Sequence, residues 1–118
     1  MPGVSIHVVD VSRGVVAAGM AVSLHAIGNG DIRHEVAAGV IGANGVLAHD
    51  ALGRHFAPGY YVASFAIADY YRNAGVALPP VPFLDIVSYG FGIADPQAHY
   101  HLPFKCTPWG YSCFRGGA

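Results

Sequence analysis

Short runs of alternating apolar and polar residues, separated by clusters of glycine, asparagine and proline, occupy most of the chain. Alternation of period two predicts β-strands. In Val4-Ser5-Ile6-His7-Val8-Val9, the residues Val4, Ile6 and Val8 fall on one face and His7 on the other. The run from Met20 to Ile27 alternates likewise and stops at Gly28-Asn29-Gly30-Asp31, a strong hairpin signal. Further strands are predicted over Ile32–Ile41, which ends at Gly42-Ala43-Asn44-Gly45, and over Val46–His49, Tyr60–Ala66, Phe83–Ile93, His99–Cys106 and Tyr111–Arg115. Asp69–Gly75 reads instead as two turns of helix closed by glycine, and Pro79-Pro80-Val81-Pro82 as a rigid connection. Seven or eight short strands with one small helix predict an all-β, two-sheet sandwich, a single domain over residues 1–118.

Composition adds one constraint. Hydrophobic residues make up 53% of the chain and charged residues only 11%, against about 25% charged in an ordinary soluble domain. So little charge leaves an apolar surface, and self-association is expected to cover much of it. A net charge of −1 offers no basic patch, which argues against nucleic acid or an anionic membrane as partner. No apolar run approaches the roughly 20 residues that a spanning helix needs. Met1-Pro2-Gly3-Val4 lacks the charged and apolar regions of a secretory signal, so a cytoplasmic location is expected. Cys106 and Cys113 match no common zinc spacing and read as reduced thiols packed in the core.

The chemistry available is that of histidine. The chain has seven histidines, and it lacks a phosphate loop, a dinucleotide fingerprint and the paired-histidine zinc helix. His25, His34, His49 and His55 are scattered over strands and loops and read as surface residues; histidines converging on zinc are the alternative. His101, Pro103 and Lys105 share one face of their strand, and His99 is read as lying on the opposite face.

Three segments together carry a resemblance. Ile6-His7-Val8-Val9-Asp10 followed by Arg13-Gly14, His99-Tyr100-His101-Leu102-Pro103, and Pro108-Trp109-Gly110-Tyr111-Ser112-Cys113-Phe114-Arg115-Gly116 resemble the opening strand, penultimate strand and C-terminal signature of the transthyretin-like proteins. The resemblance is to the 5-hydroxyisourate hydrolases in particular. It implies a two-sheet sandwich that forms a dimer by edge pairing and a homotetramer of two dimers, with active sites in the channel between them. It also implies a small-molecule substrate in purine metabolism and no cofactor or metal.

The same resemblance implies four functional positions: a histidine on the first strand, an arginine after a turn glycine, a histidine near the end, and a C-terminal Tyr-Arg-Gly-Ser. His7 and His101 match the two histidines and are the implied catalytic pair. Val46 stands in the arginine position, and the signature reads Phe114-Arg115-Gly116-Gly117, so its tyrosine hydroxyl and its serine are absent. Lys105, Arg115, Val46, Ser112 and Phe114 are the expected substrate-binding positions, with Lys105 a candidate to replace the missing cation. Opening a lactam needs an activated water, stabilisation of the oxyanion and a proton for the departing nitrogen. His7 and His101 suit the proton-transfer roles. The departures leave two alternatives open: a different reaction on a related ring, or a non-catalytic protein that binds a small ligand in the channel.

Overall fold

The computed structural model describes residues 2–117; Met1 and Ala118 lie outside the described residues. The alternating runs form eight strands: β1 (Gly3–Asp10), β2 (Val15–Val16), β3 (Ala21–Ile27), β4 (Arg33–Val40), β5 (Gly59–Ala66), β6 (Ile86–Ile93), β7 (His99–Thr107) and β8 (Gly110–Cys113). They build two four-stranded sheets with orders β2-β1-β7-β8 and β4-β3-β5-β6. All pairings are antiparallel except β1 with β7, which run parallel in unbroken register from Gly3 opposite His99 to Asp10 opposite Cys106. The expected all-β sandwich is therefore present, with the N-terminal strand laid against a strand from the far end of the chain.

Period-two patterning decides which residues meet between the sheets. Val4, Ile6 and Val8 of β1 and Leu102, Phe104 and Cys106 of β7 face Val22 and Leu24 of β3 and Tyr61, Ala63 and Phe65 of β5. At the centre Phe65 and Phe104 stack at a centroid separation of 3.8 Å, and Tyr111 continues the stack from β8 at 5.3 Å from Phe104. Burying a large side chain of this kind contributes about 2–3 kcal/mol. The alternate residues Ser5, His7 and Val9 of β1, and His99, His101, Pro103 and Lys105 of β7, are left on the outward face of the same sheet.

Several boundaries differ from the sequence expectation. Val46–His49 is not a strand: Val46 and Leu47 make only isolated bridges, to His7 and Ile41. Val15–Val16, too short to register as a pattern, adds an edge strand to β1. Phe83, Leu84 and Asp85 precede β6 instead of belonging to it. The helix α1 (Ile67–Asn73) starts two residues earlier than expected, where the backbone N–H groups of Ile67 and Ala68 both reach the Asp85 carbonyl, at 3.0 and 3.2 Å. The last strand stops at Cys113, and residues 114–117 continue outside any regular element.

Asp10 is the one charged or polar residue in the core, with no solvent exposure among the described residues. Its carboxylate accepts hydrogen bonds from the hydroxyls of Tyr71 (2.7 Å), Tyr70 (2.9 Å) and Ser12 (2.7 Å) and from the Arg13 backbone N–H (3.3 Å). Burial by itself raises this carboxyl group's pKa, but the Tyr71, Ser12, Tyr70 and Arg13 donors together hold it below the ordinary carboxylate value. The two tyrosines move the other way, Tyr70 to about 12, because burial and the neighbouring carboxylate both oppose their ionisation.

Asp10→Ala is expected to destabilise the fold by about 2–3 kcal/mol, because it leaves the Tyr70 hydroxyl without an acceptor, a loss of about 1–3 kcal/mol, and leaves Tyr71 only its longer bond to the Cys106 carbonyl. Asp10→Asn keeps one acceptor oxygen and should cost less. Denaturant midpoints of the three proteins check the order. The wild-type carboxylate contributes stability fully above the ordinary carboxyl range and loses it as pH falls through the lowered folded pKa. The alanine variant should lack that acid limb.

Candidate active site

The outward face of the β1–β7 pair gathers three histidines and one serine. Ser5 lies opposite His101, and His7 opposite Pro103, so the two expected catalytic histidines are diagonal neighbours across the parallel pair. Ser5 Oγ stands 2.6 Å from His101 Nδ1 and 2.8 Å from His99 Nε2. The other ring nitrogen of His99, Nδ1, is 3.3 Å from the Pro2 carbonyl oxygen.

His99 therefore does not lie opposite His101. Residues two apart on a strand share a face, and β7 runs without a bulge against β1. The alternation that groups His101 with Pro103 and Lys105 places His99 in the same row. Ser5 was missed in the sequence for a related reason. It reads as the polar position of an alternating strand, and only the parallel register brings it between two imidazoles 94 and 96 residues away.

Two glycines set the positions of the rings. A Cβ at Gly116 would lie 2.7 Å from His101 Cδ2, and one at Gly45 would lie 2.7 Å from His7 Nε2. Gly45 also adopts a φ of +84°, in the left-handed region that favours glycine. The Gly116 backbone N–H donates to the His101 carbonyl at 2.7 Å, which lays the C-terminal segment along β7. Each imidazole is thus packed against a residue with no side chain.

His99, His101 and Ser5 line a cavity of about 730 Å³ together with Leu52, Gln97 and Arg115. Tyr100 props its rim: its hydroxyl accepts from the backbone N–H groups of Ala94 and Asp95, at 3.1 and 3.0 Å, and so holds the loop that carries Gln97. The guanidinium of Arg115 sits over the Tyr100 ring at 4.0 Å and donates to the His99 carbonyl at 3.3 Å. Arg115 is the cation that the structure brings to the cavity, and it also fastens the C-terminal segment.

The remaining expected positions divide. Val46 bridges to His7 and stands directly beside it, so an apolar side chain occupies that flank of the histidine. Lys105 shares the outward face but is exposed, pairs with Val9 and Ser112, and does not line the cavity. Four residues of extended strand, about 13 Å, separate its backbone from that of His101. Ser112 and Phe114 are exposed near Lys105 at the β8 end and are not brought together with the histidines. Cys106 is buried and Cys113 half-buried against the core; burial pushes both thiols up to about 11, and they form no disulfide. Among the described residues, no three His, Cys, Asp or Glu side chains converge as metal ligands, and no helix is long and apolar enough to cross a membrane.

Burial lowers the pKa of His101 below the usual imidazole value, and the proximity of His7 and His99 lowers it further. The ring is then neutral near pH 7 and suited to accept a proton.

Comparison with known proteins gives a consistent picture. A family model described as the HIUase/Transthyretin family matches residues 4–116. The 5-hydroxyisourate hydrolase of Ralstonia nicotianae is 40% identical over 111 residues, which cover 93% of this chain and 94% of that protein. The solved Klebsiella pneumoniae 5-hydroxyisourate hydrolase superposes with a TM-score of 0.78 at 28% identity, covering 99% of this chain and 100% of that one. A solved (S)-allantoin synthase superposes with a TM-score of 0.88 at 31% identity over 98% of this chain, which spans 43% of that longer protein.

The His101 titration is expected to fall below pH 6.5, and His7→Gln or His99→Phe should each raise its midpoint. Imidazole proton resonances followed against pH measure this. Because the unfolded chain binds that proton at higher pH than the folded protein, the histidine's contribution to stability is complete above about 6.5 and declines as pH falls.

Proposed function

We propose that this chain, which belongs to the HIUase/transthyretin family, is a hydrolase that opens the ring of 5-hydroxyisourate or a closely related small heterocycle. The observation that carries this reading is the placement of His101 and His7 as neighbours on one sheet face, with His101 lining a cavity large enough for a bicyclic purine derivative. A neutral His101 acts as the base that takes a proton from water. The resulting hydroxide adds to the lactam carbonyl, the C–N bond breaks, and His7 supplies the proton that the departing nitrogen needs. Arg115, at the cavity wall, is the group placed to hold an anionic oxygen of the substrate.

The lost arginine and serine positions favour a second reading. Val46 leaves the flank of His7 without a fixed cation, and Gly117 supplies no hydroxyl at the C-terminal segment. A related ring with less charge to stabilise suits this site as well as 5-hydroxyisourate does. Loss of one oxyanion-stabilising group typically costs about 100- to 1,000-fold in rate. Turnover of 5-hydroxyisourate is accordingly expected to be slower than in a relative that keeps the arginine.

Adding the protein to freshly generated 5-hydroxyisourate and following its decay tests the hydrolase directly. His101→Gln and His7→Gln should each reduce kcat by about 100- to 10,000-fold with fold retained, since an amide cannot exchange a proton near neutral pH. Full activity in both variants would end this mechanism. If neither wild type nor variants act on the substrate but the protein binds it, the carrier alternative takes its place.

Assembly as a homotetramer, a dimer of dimers, completes the proposal. Exposed Val40, Tyr60, Ile86 and Trp109, each more than half exposed, supply apolar surface that a monomer of this charge content would leave in water. Light scattering at micromolar concentration should give four times the 12.3 kDa chain mass; a monomer mass would contradict the assembly.

A further inference from the structure

We infer that Ser5 and His99 are positioning residues that fix the tautomer of His101, through a hydrogen-bonded chain whose direction is set by the Pro2 carbonyl. The Pro2 end of this hydrogen-bonded chain has only one possible role. A carbonyl oxygen can only accept, so His99 Nδ1, 3.3 Å from the Pro2 oxygen, carries the proton of that contact. In a neutral imidazole the second nitrogen is then unprotonated. His99 Nε2 accepts, and the group 2.8 Å from it is the Ser5 hydroxyl, which donates its only proton there. The Ser5 oxygen, its proton committed, receives one from His101 Nδ1 at 2.6 Å. His101 therefore holds its proton on Nδ1 and presents a bare Nε2.

Each of these bonds taken singly has two possible directions. Linked to a backbone carbonyl, they have one. The result orients an imidazole as a base through a hydroxyl and a second imidazole; among the described residues no carboxylate, the partner that usually performs this task, bonds to His101. His101 is held on its other sides as well: Gly116 abuts the ring, and the Gly116 N–H holds the backbone of the same residue. When Nε2 takes a proton from water, Nδ1–H stays on Ser5, so nothing in the chain has to turn over. The protein carries Ser5 and His99 at positions that the four-residue frame implied by the family resemblance does not include.

The catalytic half of this inference rests on the hydrolase reading; the tautomer half does not. Long-range proton–nitrogen correlation spectra at about pH 8, above the imidazole range, read the tautomer directly. Wild-type His101 should show a protonated Nδ1 and an unprotonated Nε2, and His99 the same. Ser5→Ala should move the His101 proton to Nε2, the site preferred by a free imidazole in water, and Ser5→Thr, which keeps the hydroxyl, should restore Nδ1. An Nε2 proton in wild type, or an unchanged tautomer in Ser5→Ala, overturns the inference.

In turnover, Ser5→Ala should lower kcat about 10- to 100-fold with KM little changed, comparable to removing the outer partner of a metal-bound imidazole, and Ser5→Thr should recover most of it. Undiminished kcat alongside a shifted tautomer overturns the catalytic half. A wild-type protein with the expected tautomer but no hydrolysis of 5-hydroxyisourate overturns the hydrolase reading alone.

Discussion

A carboxylate sealed from water anchors the geometry of this molecule. Asp10 ends β1, and the phenols that satisfy it come from α1, sixty residues on, while Tyr71 also lies 3.2 Å from the Cys106 carbonyl of β7. One buried charge thereby fixes the end of β1, the helix and the partner strand with respect to each other. A buried ion left without such donors would be strongly destabilising. Here it has four donors, and Arg13, largely in water, adds only a weak ion pair at 3.7 Å. The outward row Ser5, His7 and Val9 is carried on the strand that Asp10 locks, so the histidine face inherits its register from a contact made on the other side of the sheet.

The sandwich was legible in the sequence because its strands have one wet face and one dry face, and period-two alternation records exactly that contrast in residues such as Val4, Ile6 and Val8. His7 and His101 were legible by resemblance, and their proximity follows from a strand pairing that alternation cannot reveal. Parallel pairing of β1 with β7 has no turn sequence to announce it. The same gap hid Ser5, whose partners are distant in the chain. The spacing of His99 and His101 already requires a shared face, since residues two apart on a regular strand point the same way, against the expectation that set His99 on the opposite side. Val46–His49 looked like a strand because Val46 and Leu47 are apolar, yet only two bridges form there; short apolar runs carry too little pattern to separate a strand from a packed loop.

The departures from the family pattern have a spatial logic. Val46 flanks His7 directly, whereas the exposed Lys105, opposite Val9, is a diagonal neighbour of His7 across the β1–β7 pair and does not line the cavity. Arg115 is nearer the chemistry, but its guanidinium already stacks on Tyr100 and holds a backbone carbonyl. A guanidinium engaged in this way is pre-organised: it loses little freedom when a ligand arrives and presents its remaining N–H groups in a fixed direction. The cavity therefore has a fixed cation on its C-terminal side, which favours one orientation of an anionic ring entering it, while neither Val46 nor His7 is part of its wall.

The parallel contact between the first strand and the seventh has a kinetic meaning. Every atom of the Ser5–His99–His101 cluster depends on joining segments more than ninety residues apart, and closing so large a loop is slow because its entropy is lost before any contact compensates. No partially folded form with either terminal strand detached can contain the cluster. Its appearance during refolding would mark the arrival of the native topology, so recovery of a histidine signal should trail the recovery of strand content contributed by β3 and the two strands that pair with it, β4 and β5, whose pairings are shorter in range.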